Sequence, residues 1–189
     1  MRVFIFLSST PPLIALFRDS IMSMHTEENN YAFIDAQNVY RGIKSLGWAI
    51  DWFRFRRYLK EKYSVTTAYM FLGYVPTNEV LYETLQKAGF ILKFKPVIPD
   101  NVGKPKGNVD ADMVLQVMVD LSEYNKAIII TSDGDFYSLV RHLYQHDKLK
   151  IVMSPYVKTC SSLLKKEAKE KIIYMDNLEK KVGRKKNTA

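Results

Sequence analysis

From Tyr31 onward, short apolar runs rich in β-branched and aromatic residues alternate with longer stretches in which apolar residues recur at helical spacing. A period of two places residues on the two faces of a strand, and a period of 3.6 marks one stripe of a helix. Regular alternation of the two is the pattern of parallel strands joined by crossover helices, so the chain reads as α/β. Strands are expected at Tyr31–Asp35, Val65–Leu72, Phe90–Pro96, Ala127–Ser132, Lys150–Ser154 and Lys171–Tyr174. Helices are expected at Val39–Leu46, Trp52–Lys62, Asn78–Ala88, Val109–Glu123, Phe136–His146 and Ser161–Glu167. Gly47 and Gly89 stand where helix ends favour a residue able to take positive φ.

At 189 residues one domain is the default. An apolar content of 47%, with 12 Tyr and 10 Phe, supplies a core and argues against disorder. Residues 29–178 are read as the domain, 1–28 as an N-terminal extension outside it, and 179–189 as a basic tail. The start resembles a signal peptide only superficially. Pro11-Pro12 breaks the apolar run, and Ser20 to Met24 offers no small-x-small cleavage site. We expect Met22 or Met24 to be the natural start, and no membrane span. The long segment Pro99–Asn108 is rich in Pro, Gly and Asn and reads as a functional loop. A single cysteine, Cys160, makes no internal disulfide, and without Cys/His clusters there is no thiolate zinc site, so a cytoplasmic location is expected. Lys and Arg number 28 against 20 acids, and the net charge of +8 favours polyanionic partners.

Ligands of open parallel sheets bind beyond the carboxyl ends of the strands. Two apolar runs end there on carboxylates: Ala32-Phe33-Ile34 meets Asp35, and Ile128 to Ser132 meets Asp133-Gly134-Asp135. A carboxylate at the end of a buried strand is costly unless hydrogen-bonded or neutralised by a cation. Asp110 and Asp112 open the helix after the long loop, about 200° apart around its axis. Each has a mundane alternative. An acid in a first helical turn caps free amides, and Asp-Gly-Asp is ordinary turn and N-cap chemistry. Convergence of several acids is harder to attribute to turns.

The stretches Phe33-Ile34-Asp35-Ala36-Gln37-Asn38-Val39-Tyr40-Arg41, Lys106-Gly107-Asn108-Val109-Asp110 and Thr131-Ser132-Asp133-Gly134-Asp135-Phe136 resemble the NYN family, closest to its LabA-like branch. The resemblance covers about Tyr31 to Tyr174. It implies a PIN-like three-layer α/β/α domain with a mostly parallel sheet in the order 3-2-1-4-5. It also implies a site in which Asp35, Asp110, Asp133 and Asp135 bind Mg2+ or Mn2+, with Asn38 and Ser132 as nearby polar groups. Asp112 competes with Asp110 for the helix acid; Asp110 is preferred because it follows Lys-Gly-x-Val.

Such a carboxylate cluster suits metal-dependent phosphodiester hydrolysis with no side-chain nucleophile, and the resemblance implies RNA, single-stranded or structured, as the substrate. Asp35 and Asp133 are expected as direct ligands, Asp110 as ligand or water activator, and Asp135 as ligand or support. Arg41, Lys44, Lys104 and Lys106 are candidate phosphate guides, and Tyr40 a candidate platform for a base. His142 and His146 read as a surface pair, and the aromatic group from Trp48 to Phe55 as packing. The rival readings are a non-catalytic RNA- or protein-binding regulator on the same fold and another phosphoryl-transfer enzyme. A homo-oligomer is left open.

Overall fold

A computed structural model of the chain describes residues 28–95 and 109–185, with the backbone alone for 98–99 and 105–106. The reading of the N-terminal extension therefore falls, except for Glu28, outside the described residues, as do Lys104, the Lys106 side chain and most of the long loop.

β1 (Asn30–Asp35), β2 (Val65–Gly73), β3 (Ile91–Lys95), β4 (Ala127–Ile130), β5 (Leu149–Ser154) and β6 (Ile172–Tyr174) form one sheet in the order β3-β2-β1-β4-β5-β6. Every pair in it is parallel. The expected order is observed, and β6 extends it beside β5. Within the long loop, Ile98–Pro99 and Pro105–Lys106 form a short antiparallel ladder.

The helices are α1 (Ala36–Ser45), α2 (Trp52–Tyr63), α3 (Glu79–Lys87), α4 (Asp110–Val119), α5 (Tyr137–Gln145), α6 (Ser162–Ala168) and α7 (Glu179–Val182). They cover the sheet from both sides, because successive residues of a central strand point to opposite faces. Ala32, Ile34, Ile128 and Ile130 pack with Val39, Phe55, Leu59 and Leu85 on one face. Phe33 and Ile129 pack with Met113, Val117, Leu143 and Leu164 on the other. The result is the α/β/α sandwich implied by the resemblance.

Gly47 and Gly89, at φ of +79° and +93°, close helices where the sequence placed them. α1 begins at Ala36, ahead of the expected Val39, because Asp35 caps it: its Oδ1 accepts the Asn38 N–H at 3.1 Å. α4 ends at Val119, short of the expected Glu123. The chain turns there so that Tyr124 packs on Tyr31 and Phe33, with ring centroids 5.5 and 5.7 Å away, and its hydroxyl donates to the Val117 carbonyl at 3.0 Å.

Residues 179–185 of the segment read as a basic tail are packed on the domain. Val182 is fully buried, its carbonyl accepts the Asp51 N–H at 2.8 Å, and Arg54 donates to the carbonyls of Gly183 and Lys180 at 2.6 and 2.8 Å. No helix among the described residues is long and apolar enough to cross a membrane.

Candidate metal centre

β1 and β4 lie side by side with Ile34 opposite Ile130, so both chains leave the sheet at the same edge. Asp35 follows directly. The expected strand through Ser132 stops at Ile130, because Thr131 and Ser132 turn their polar groups to the α1 side instead of the ladder. The Thr131 hydroxyl donates to Asp35 Oδ2 at 3.2 Å and accepts the Asp133 N–H at 3.1 Å. Ser132 donates to Asn38 Oδ1 through both its N–H, at 2.8 Å, and its hydroxyl, at 2.7 Å. Asp133 Oδ1 accepts the Asp135 N–H at 3.0 Å. The capping and turn roles are therefore real for Asp35 and Asp133, and they orient the carboxylates rather than explain them away.

Asp110, in the first turn of α4, meets Asp133 and Asp135 here: one carboxylate oxygen from each lies within 4.8 Å of the others. Of the four acids expected, Asp110, Asp133 and Asp135 meet in this way, and Asp35 shares a cleft with Asp110 and Asp133. Asp35 caps α1 at the floor of a cleft of about 180 Å³ that it lines with Gln37, Asn38, Arg41, Val109, Asp110 and Asp133. Burial pushes the Asp35 carboxyl above its ordinary value, and the charges of Asp110 and Asp133 push it further. Hydrogen bonds from Asn38 and Thr131 oppose the shift without cancelling it. Clustered hard oxygen donors fit a divalent cation such as Mg2+ or Mn2+.

Residues 31–176 match the NYN domain. The chain belongs to the NYN domain family. A solved protein of unknown function from Vibrio parahaemolyticus shares its fold, with a TM-score of 0.69 at 23% identity over 82% of this chain and 98% of the other. None of the curated proteins is significantly similar to the chain.

The remaining candidate residues separate in this NYN domain. Asp112 points away from the three acids and pairs with Lys95 at 3.6 Å, so Asp110 is the acid of α4 that joins them. Arg41 lines the acid cleft, whereas Tyr40 and Lys44 line a different, apolar groove on the other flank of α1. Their common place on the helix after the first strand had put these three together; adjacent helical residues diverge by about 100°. His142 and His146 stack at 4.2 Å at the far end of α5, and neither joins the three acids.

Two features escaped the sequence reading. Thr131 joins Asp35 to the Asp133 backbone, and its only signal was a hydroxyl directly before Ser132. Gly134 allows the loop before α6 to approach: a Cβ there would stand 2.5 Å from Ser161 Oγ. That loop contributes Thr159 and Ser161 to a polar pocket of about 400 Å³ that shares Asn38, Arg41 and Asp133 with the acid cleft.

Proposed function

We propose that this protein is a metal-dependent ribonuclease of the LabA-like branch, acting in the cytoplasm on single-stranded or structured RNA. The observation that carries the reading is the convergence of Asp110, Asp133 and Asp135, with Asp35 on the cleft floor and Arg41 on its wall. Asp110, Asp133 and Asp135 would hold Mg2+ or Mn2+, and Asp35 adds its charge from below. When bound, the ion supplies Lewis-acid polarisation of the phosphoryl group and lowers the pKa of water.

The chain's own groups do the rest. Arg41 has no ion pair among the described residues and offers its guanidinium to a phosphate entering an otherwise repulsive cleft. Asn38 is oriented by both donors of Ser132, which leaves its Nδ2 at the cleft lining to donate to a phosphoryl oxygen. As water oxygen bonds to phosphorus and the bond to the departing ribose oxygen breaks, Asp35 takes the released proton, since its burial favours the protonated form. The departing oxygen is protonated from solvent.

A substrate panel tests the reading. Labelled single-stranded RNA, the matching DNA and a small phosphomonoester are incubated with Mg2+, Mn2+ or EDTA. Metal-dependent cleavage of RNA is expected. RNA binding without cleavage by either metal would favour a regulator, and phosphomonoester hydrolysis alone would favour a phosphatase.

A further inference from the structure

α1 is a ridge between the acid cleft and the apolar groove. Gln37, Asn38 and Arg41 face the cleft, while Ala36, Tyr40, Ile43 and Lys44 face the groove. The groove encloses about 380 Å³ above Met70, Leu72 and Leu85, and both tryptophans of the chain, Trp48 and Trp52, stand in its walls. Trp52 is held edge-on by Phe55 and Phe90, with centroids 6.2 and 6.1 Å away. Tyr40 is 60% exposed at the rim.

Two cations frame this apolar slot. Lys44 Nζ lies 5.7 Å from the Tyr40 ring centroid. Arg184 is fixed by its N–H to the Ala49 carbonyl at 2.8 Å and by its Nε to the Ile50 carbonyl at 3.2 Å, which leaves its two terminal amino groups for a ligand. Neither side chain is ion-paired among the described residues. Aromatic walls with unpaired cations at the rim complement a planar ring attached to an anion. A purely apolar segment would leave both charges without a counterpart. The ridge is about 10 Å across, a width that a nucleic-acid strand crosses in a few nucleotides.

We propose that this groove takes an unpaired nucleobase of the RNA strand whose backbone runs through the acid cleft, with neighbouring phosphates on Lys44 and Arg184. The inference rests on the reading of the cleft as an RNA site. Stacking on an aromatic wall without base-edge hydrogen bonds tolerates any base, so the groove sets strand path and register rather than sequence.

Because the chain's two tryptophans both line the groove, their emission reports on it directly. Short labelled single-stranded RNA is titrated into the full-length protein in EDTA, with anisotropy and tryptophan emission followed together and an apolar dye prebound. The expected result is quenching with the same midpoint as the anisotropy, and displacement of the dye. A strand of equal length lacking its bases should bind about ten-fold more weakly without quenching, and Tyr40→Ala should lose about ten-fold in affinity for the normal strand. Binding that leaves emission and dye undisturbed would overturn the proposal and give the groove to an apolar protein segment. Manganese-dependent RNA cleavage by the same preparation would then leave the nuclease reading standing. No anisotropy change at all would overturn the proposal, and the absence of manganese-dependent cleavage as well would overturn both.

Discussion

Asn38 Oδ1 accepts two hydrogen bonds from Ser132, and this pair fastens the helix after β1 to the loop after β4. Ser132 is buried, so loss of its acceptor strands a backbone N–H and a hydroxyl. Asn38→Ala is expected to cost about 2 kcal/mol, read as a lower midpoint in chemical denaturation. Ser132→Ala, which keeps the backbone bond, should cost less than half as much.

Asp35 yields a prediction with a definite sign. Its carboxyl is raised in the fold by burial and by Asp110 and Asp133. It therefore favours the folded state below the ordinary carboxylate range, and that contribution is lost as pH rises through its folded pKa. Above that folded pKa the metal-free protein carries an unfavourable charge there. Asp35→Asn, which retains an acceptor for the Asn38 N–H, should raise Tm in EDTA at pH 7 and flatten the fall in stability above the carboxylate range. Thermal melts from pH 4 to 8 check both.

The close approach at Gly134 makes the middle of Asp-Gly-Asp intolerant of a side chain. A Cβ would meet Ser161 Oγ at 2.5 Å and Ser161 Cβ at 3.2 Å, and Ser161 is the N-cap of α6, accepting the Leu163 N–H at 3.2 Å. Gly134→Ala should cost about 1–2 kcal/mol through displacement of that cap. Adding Ser161→Gly removes the clash, so the double variant should recover part of the loss in a denaturation series.

Among the described residues, Arg41 is the cation that lines the cleft itself. Arg41→Ala should weaken binding to RNA of any sequence and reduce the salt slope by about one. Affinities measured over a series of salt concentrations give the slope.

Val182 tests the packing of the C-terminal turn. Val182→Asp places a charge in a fully buried position and should cost more than about 2 kcal/mol. An exposed tail would tolerate the change, so an unchanged denaturation midpoint would contradict the packing of α7.

What the sequence revealed follows from what physical signals it carries. Apolar runs ending on Asp35 and Asp133 marked the strand ends, because burial on both faces leaves a near-continuous hydrophobic signature. The order of the central strands came through the family resemblance. The division of the acids did not: the distance of Asp35 from the three-acid group depends on helix capping and on Thr131, neither of which has a spacing signature. Asp110 and Asp112 were ambiguous until the Lys95 pair turned Asp112 away. Tyr40 and Arg41 were grouped although one residue of helical phase sends them to opposite sides of α1. The packed turn at Val182 was hidden among lysines, since a single buried valine makes no period.

The most direct test is single-turnover cleavage of labelled single-stranded RNA by the wild type and by an Asp35→Asn, Asp133→Asn double variant, each with Mn2+ or with EDTA. The account predicts cleavage by the wild type in Mn2+ alone and at least about a hundred-fold loss in the variant, a deficit of at least about 2.7 kcal/mol in transition-state stabilisation. Equal rates for the two proteins, or cleavage that persists in EDTA, would contradict it.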